Sequence, residues 1–353
     1  MSVVRLEKPR QLLRDPRIMT VIGVVVGLLL ILLYINTAIK WSTFVKFLIN
    51  GLVESSVLFL MASGLSLIFG LMDVVNFAHG AVFTWGGYIF VWAFNRFTTS
   101  GIPTEDKGHF LSWMYMGLEP LPATLLALVF GLIGGALLGA AIEFIAIRRL
   151  YGRPVFQILL TLGLVLIMEE TLRLIFGKDG TINYTAEQWP SGGFRPDPTI
   201  LVNWKSVAIV ITGLVVFGSV TWLLNRTKVG LVIRGGVEDT QMVQALGYNV
   251  KRYFFAVFVL GSLLAALGGI ANSINSGAGS ETMGQAYLLT AFVVVVLGGL
   301  GSFSGAAVGS LMVGLITPFV GYHFPAVADS FVMILLVLVL LVRPQGLFGS
   351  KVY

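Results

Sequence analysis

The chain has 353 residues, 56% of them apolar and only 11% charged, with 42 glycines, no cysteine and a formal net charge of +6. A soluble domain carries roughly 25% charged residues, so a mean hydropathy of +0.90 with this little charge makes the lipid bilayer the solvent. The lack of cysteine removes disulfides, thiolate nucleophiles and cysteine-ligated metals, and His79, His109 and His323 are too scattered in sequence to suggest a metal centre. No cofactor or metal is expected in this chain.

A spanning helix needs about 20 mostly apolar residues. Ten segments answer to this, at 19–39, 44–71, 80–95, 122–147, 155–175, 205–225, 253–272, 286–301, 305–321 and 326–342. Those at 80–95, 286–301 and 305–321 are short, as broken or re-entrant helices are, and a count of eight is the alternative. The segment 19–39 follows Arg5, Lys8, Arg10, Arg14 and Arg17 but exceeds a signal-peptide core and has no convincing cleavage site, so it is expected to be retained. The organisation expected is a basic tail 1–18, a transmembrane domain 19–342 and a tail 343–353, with no soluble domain.

Threading ten segments from a cytoplasmic N-terminus puts five Lys and Arg in the N-terminal tail, three at 148–153, five in the loop 226–252 and two in the C-terminal tail, all on one side. The remaining eight lie in or beside the outer loops, four of them in 96–121 and 176–204, which also hold Glu and Asp. That satisfies the positive-inside rule with both termini cytoplasmic. Gly131, Gly135 and Gly139, then Gly261, Ala265 and Gly269, then Gly305 and Gly309 recur every four residues, a spacing that lets transmembrane backbones approach closely.

Ionisable residues within apolar segments are costly and mark functional sites by default. Here they are Glu54, Asp73, His79, Glu143, Glu169, Glu170 and Asp329. Glu143 has Arg148 and Arg149 close by, and pairing explains it; Asp329 suits a helix N-terminus. The run from Gly70 to Gly80 sets Asp73, Asn76 and His79 three apart, on one side of a helical turn. Direct contact with a transported solute and a hydrogen-bond network that fixes a helix break both fit; lipid exposure does not. A second break, Leu297-Gly298-Gly299-Leu300-Gly301-Ser302, interrupts the other half. Transporters made of inverted repeats line their route with discontinuous helices in corresponding positions, although the halves are too dissimilar for residues alone to establish a repeat.

In the cytoplasmic loop 226–252, residues from Glu238 to Leu246 have helical character. Glu238 and Asp239 suit its first turn, Gly247 its C-terminal cap, and Met242, Ala245 and Leu246 share one apolar face. A short amphipathic helix in the cytosol is expected to meet a partner protein or lie in the headgroup region.

Four motifs in order, Asn76-Phe-Ala-His79-Gly80, Glu238-Asp239…Ala245-Leu246-Gly247, the Leu297–Ser302 break and Arg343-Pro-Gln-Gly-Leu-Phe-Gly349, together resemble the Liv-type permeases of branched-chain amino-acid ABC transporters, from about Asn50 to the C-terminus. The resemblance implies an all-α polytopic bundle of two pseudo-symmetric halves in the bacterial inner membrane. It also implies an importer permease for a branched-chain or other hydrophobic amino acid, with urea, amides and aromatic acids left open. Implied partners are a second permease subunit (a paralogue, or another copy of this chain), two cytoplasmic ATPases carrying ATP and Mg, and a periplasmic binding protein. The sequence lacks the G-x-x-x-x-G-K-[ST] phosphate loop, so ATP hydrolysis is assigned to separate chains. Glu54, Asp73, Asn76, His79, Gly298, Gly299, Gly301 and Ser302 are expected at the substrate path or its helix breaks, and Glu238, Asp239, Met242, Ala245, Leu246 and Gly247 in a coupling helix. The alternative is a proton-coupled secondary transporter using Asp73, His79 or Glu169 and Glu170; no nucleophile–base pair favours an intramembrane enzyme.

Overall fold

The computed structural model describes residues 40–72, 74–99, 114–176, 181–183, 192–343 and 346–348. The segment 19–39, Asp73 and the side chains of Glu238 and Asp329 lie outside the described residues. The helices are α1 (Trp41–Met72), α2 (Ala78–Thr98), α3 (Pro120–Ala141), α4 (Pro154–Phe176), α5 (Trp204–Arg226), α6 (Lys228–Glu238), α7 (Thr240–Ala245), α8 (Val250–Ser276), α9 (Met283–Gly298), α10 (Phe303–His323) and α11 (Ala328–Val342). Each of the nine expected segments within the described residues is a helix. Five of the helices are long and apolar enough to cross a membrane: α1, the helix from Pro120 to Leu150, α5, α8 and α10.

Of the three segments read as short, α2 and α10 each run to 21 residues. Only α9, with 16 residues, falls below the hydrocarbon thickness, at about 24 Å by its rise. The described links after α4 and after α8 also hold two small antiparallel ladders that composition did not reveal. β1 (Thr181–Asn183) pairs with β4 (Ala278–Ser280), and β2 (Gly193–Asp197) pairs with β3 (Ile200–Asn203).

These helices are apolar on nearly every side, so each is covered by other helices or by lipid. In the most apolar stretch of α1, 78% of residues are buried, and 61% in α8, against 28% in α3 and 17% in α5. The first pair is central and the second faces lipid with Leu125, Val129, Ile133, Leu214 and Val215 exposed. Packing is mirrored about the central pair. α1 contacts α9 and α10 as α8 contacts α2 and α3; α2 packs on α3 as α9 does on α10, and α2 on α4 as α9 on α11. Interchanging α1–α4 with α8–α11 therefore preserves these contacts, while α10 also packs on α11 without such a contact between α3 and α4.

This correspondence corrects one expectation. The link between α1 and α2 matches the outer link between α8 and α9, so the two polar breaks are not counterparts. In the topology read from charge α1 runs inward and α8 outward, which makes the halves inverted.

Glycine spacing explains the close approaches. Gly131, Gly135 and Gly139 of α3 abut Ile270, Ala266 and Ser262 of α8 in antiparallel register. The Gly261 and Gly269 face of α8 instead receives Gly64 of α1 and the backbone at Phe83 of α2.

Candidate substrate site

α1 ends at Met72, yet α2 does not begin until Ala78. The ring of His79, fully buried, places its Nε2 3.2 Å from the carbonyl oxygen of Met61, eleven residues before the end of α1 and about 16 Å along its axis. α2 thus starts inside the bundle, and residues 74–77 are non-helical backbone at membrane depth. Such backbone persists in a membrane only where protein buries it or a cavity adjoins it. Both hold here. The Phe77 N–H donates to Thr161 Oγ1 of α4 at 3.3 Å, and a cavity of about 230 Å³ lies between this segment and α9.

The cavity is lined by Leu65 and Phe69 of α1, Val75, Asn76 and Phe77 of the break, Leu288, Leu289, Phe292 and Val295 of α9, and Leu300. Its volume is several times the roughly 30 Å³ share of a water molecule, enough for one small solute. Asn76 is the only polar side chain in that lining, is 1% exposed, and finds a partner for neither its Oδ1 nor its Nδ2. A buried amide without partners costs about 1–3 kcal/mol, and this one sits within the wall of the cavity, with neither amide atom open to the interior. The structure thereby separates residues that spacing had grouped: Asn76 borders the cavity, whereas His79 locks α2 against α1 in a space that Gly64 leaves open.

Glu54 lies near the midpoint of α1 and accepts a hydrogen bond from Tyr287 Oη at 3.2 Å. The Tyr287 ring stacks on Phe83 with centroids 5.1 Å apart and planes 26° from parallel. Sequence reasoning passed over Tyr287, although a phenol inside an apolar segment needs a polar partner and was the available signal.

The second break meets the first. Gly70, near the end of α1, touches Gly301 directly. Gly299 and Gly301 take φ of 106° and 78°, which suits glycine, and Ser302 caps α10 by accepting from the Gly305 N–H at 3.0 Å. The C-terminal motif closes on this turn: Leu347 N–H donates to Leu297 O and Phe348 N–H to Gly298 O, both at 2.9 Å. These bonds satisfy carbonyls that the end of α9 leaves free.

In the loop 226–252 the expected single helix is split. Glu238 ends α6, and Asp239 caps α7, its Oδ1 accepting from Gln241 and Met242 N–H at 2.9 Å each. Asp239 fits the cap better than the helix interior because its short carboxylate competes for backbone donors. Val243 is buried with Val232 and Val250, while Met242, Ala245 and Leu246 are exposed together. Gly247 closes the turn at φ 87°.

The other acids serve as braces. Glu143 is fully buried and held by Arg148 at 3.0 and 3.2 Å and by Tyr151 Oη at 2.9 Å. Towards the outer end of α4, Glu169 accepts from Gln285 at 2.6 Å, and Arg173 pairs with Glu170 at 3.5 Å and with Glu281 at 2.7 Å. Glu169 through Gln285 and Arg173 through Glu281 tie α4 to the start of α9, while Glu170 pairs with Arg173 on its own helix.

The model of the family described as branched-chain amino acid transport system / permease component matches residues 47–342. The chain belongs to this permease family. It is 29% identical over 309 residues to the high-affinity branched-chain amino acid transport system permease protein BraD of Pseudomonas aeruginosa, covering 86% of this chain and 94% of that one. With LivH of Salmonella typhimurium, a permease of the same description, identity is 26% over 87% of this chain and 96% of the relative. The fructose import permease protein FrcC of Rhizobium meliloti is 27% identical over 45% of the chain. No solved structure matches. The permease is an integral protein of the inner (plasma) membrane, a transport subunit and not an enzyme.

Proposed function

We propose that this permease is the membrane path of an ATP-driven importer for branched-chain or related hydrophobic amino acids. The observation that carries this is the chamber at membrane depth. It is apolar enough for an aliphatic side chain and bordered by the non-helical backbone of residues 74–77, with Asn76 buried in its wall. The relatives' descriptions support the same solute class. Two cytoplasmic ATPases would dock on the exposed Met242, Ala245 and Leu246 face of α7, and ATP and Mg belong to them. A periplasmic protein would deliver the solute from the outer side. A second permease subunit, a paralogue, would cover the exposed α9 stripe of Leu289 and Phe292 beside the chamber.

Uptake by cells tests this reading. Deleting the gene should abolish high-affinity uptake of radiolabelled leucine, and the wild-type chain should restore it. Unlabelled isoleucine and valine should compete, whereas urea or acetamide should not. Leucine uptake unaffected by the deletion would refute the assignment.

A further inference from the structure

Glu54 is a half-buried carboxylate near the midpoint of the membrane-spanning α1, and no cation among the described residues answers its charge. Glu143, which is fully buried, is matched by Arg148, and Glu281 by Arg173. Among the described residues no Lys, Arg or His lies within ion-pair distance of Glu54; its one hydrogen bond is from Tyr287. A carboxylate has about four acceptor sites, so most of its capacity is unused where an unmatched charge is expensive.

Its position relative to the chamber follows from two contacts. Glu54 meets Tyr287 and Gly70 meets Gly301, so α1 and α9 run side by side in the same direction. The chamber residues Leu65, Phe69, Leu288, Phe292 and Val295 fall between those contacts in sequence. Glu54 and Tyr287 therefore precede the chamber residues on both helices, Tyr287 standing next in sequence to Leu288, while neither belongs to the lining itself. Stacking on the fully buried Phe83 holds the Tyr287 ring beside Glu54.

We propose that Glu54 and Tyr287 bind the ammonium group of the transported solute, with its aliphatic side chain in the chamber towards Asn76. The inference rests on the reading of the solute as an amino acid. A bound ammonium supplies the positive charge that no described residue brings to Glu54 and donates hydrogen bonds to the free carboxylate positions. Urea and neutral amides bring no charge and leave Glu54 unmatched, so this pair acts as a selectivity element.

The test is equilibrium binding of radiolabelled leucine to the full chain, purified with the subunits that accompany it, in nanodiscs without the soluble binding protein. Leucinol, which keeps the ammonium and side chain, should compete; 4-methylpentanoate, which lacks the ammonium, should not. Glu54→Gln should weaken leucine binding about tenfold or more, the value of a charge-assisted hydrogen bond. Tyr287→Phe, which keeps the ring stack, should weaken it less, and Glu54→Asp should retain part of the affinity. Unchanged binding in Glu54→Gln, or competition by the acid and not the alcohol, would overturn the proposal. Should Glu54→Gln fail to assemble, the two competitors decide on the wild type alone. A wild type that binds no leucine would refute the solute class itself, whereas leucine binding indifferent to Glu54 would refute only this site.

Discussion

Gly64 of α1 and Gly261 of α8 cross with their backbones in contact: a Cβ on Gly64 would stand 2.5 Å from the Gly261 carbonyl oxygen, and one on Gly261 would stand 3.0 Å from that of Gly64. Backbone lies on both sides, so a side chain there forces the central helices apart. The same Gly64 makes room for the His79 ring, whose atoms would lie 2.9 Å from that Cβ. Gly64→Val should therefore destabilise the bundle by about 1–3 kcal/mol through overpacking. A lowered melting temperature of the purified protein, with reduced yield from membranes, would register this.

Asn76→Leu separates stability from transport. Replacing an unpartnered buried amide with an apolar side chain of similar size removes a polar burial cost of about 1–3 kcal/mol. The variant should melt higher than wild type and yet import leucine more slowly. A network role in folding would give the opposite, a lower melting temperature.

On the cytoplasmic side, Ala245→Asp with Leu246→Glu alters exposed residues only. The chain should still insert and fold, while co-purification of the ATPases and uptake are lost. Asp239→Ala removes the cap of α7 and should cost about 1 kcal/mol locally, reducing ATPase retention by a smaller amount. Pull-down of the ATPase subunits measures both.

The C-terminal motif is bound to the turn after α9 through Leu347 and Phe348, with Leu347 buried. Leu347→Asp should release this segment and raise hydrogen exchange at the Leu297 to Ser302 turn, while exchange at the α3–α8 contact stays low.

How much of this was legible in the sequence differs from place to place. Apolar runs located the helices because a segment in lipid must satisfy its own backbone, and that requirement is written in composition. Charge asymmetry set an expectation for the side on which each loop lies, through the positive-inside rule. The face that a glycine repeat uses was not legible: Gly131, Gly135 and Gly139 mate with Ser262, Ala266 and Ile270, not with the second repeat, because spacing reveals that backbones approach but not which ones. Spacing grouped Asn76 with His79, and only the position of α2 showed that one borders a cavity while the other is locked inside. Tyr287 was missed because its partner Glu54 lies 233 residues away. The short β ladders left no alternating apolar signal to read, since β2 is mostly exposed and β4 has three residues.

The most direct measurement of the central claim is leucine accumulation in proteoliposomes holding this permease with its co-purified membrane partner and ATPases, the binding protein supplied outside and ATP enclosed. The account predicts accumulation that needs ATP and survives a protonophore, and no concentrative uptake by this chain alone, because a permease supplies alternating access and no driving force. Uptake by the chain alone, driven by an imposed pH gradient and abolished by the protonophore, would contradict it.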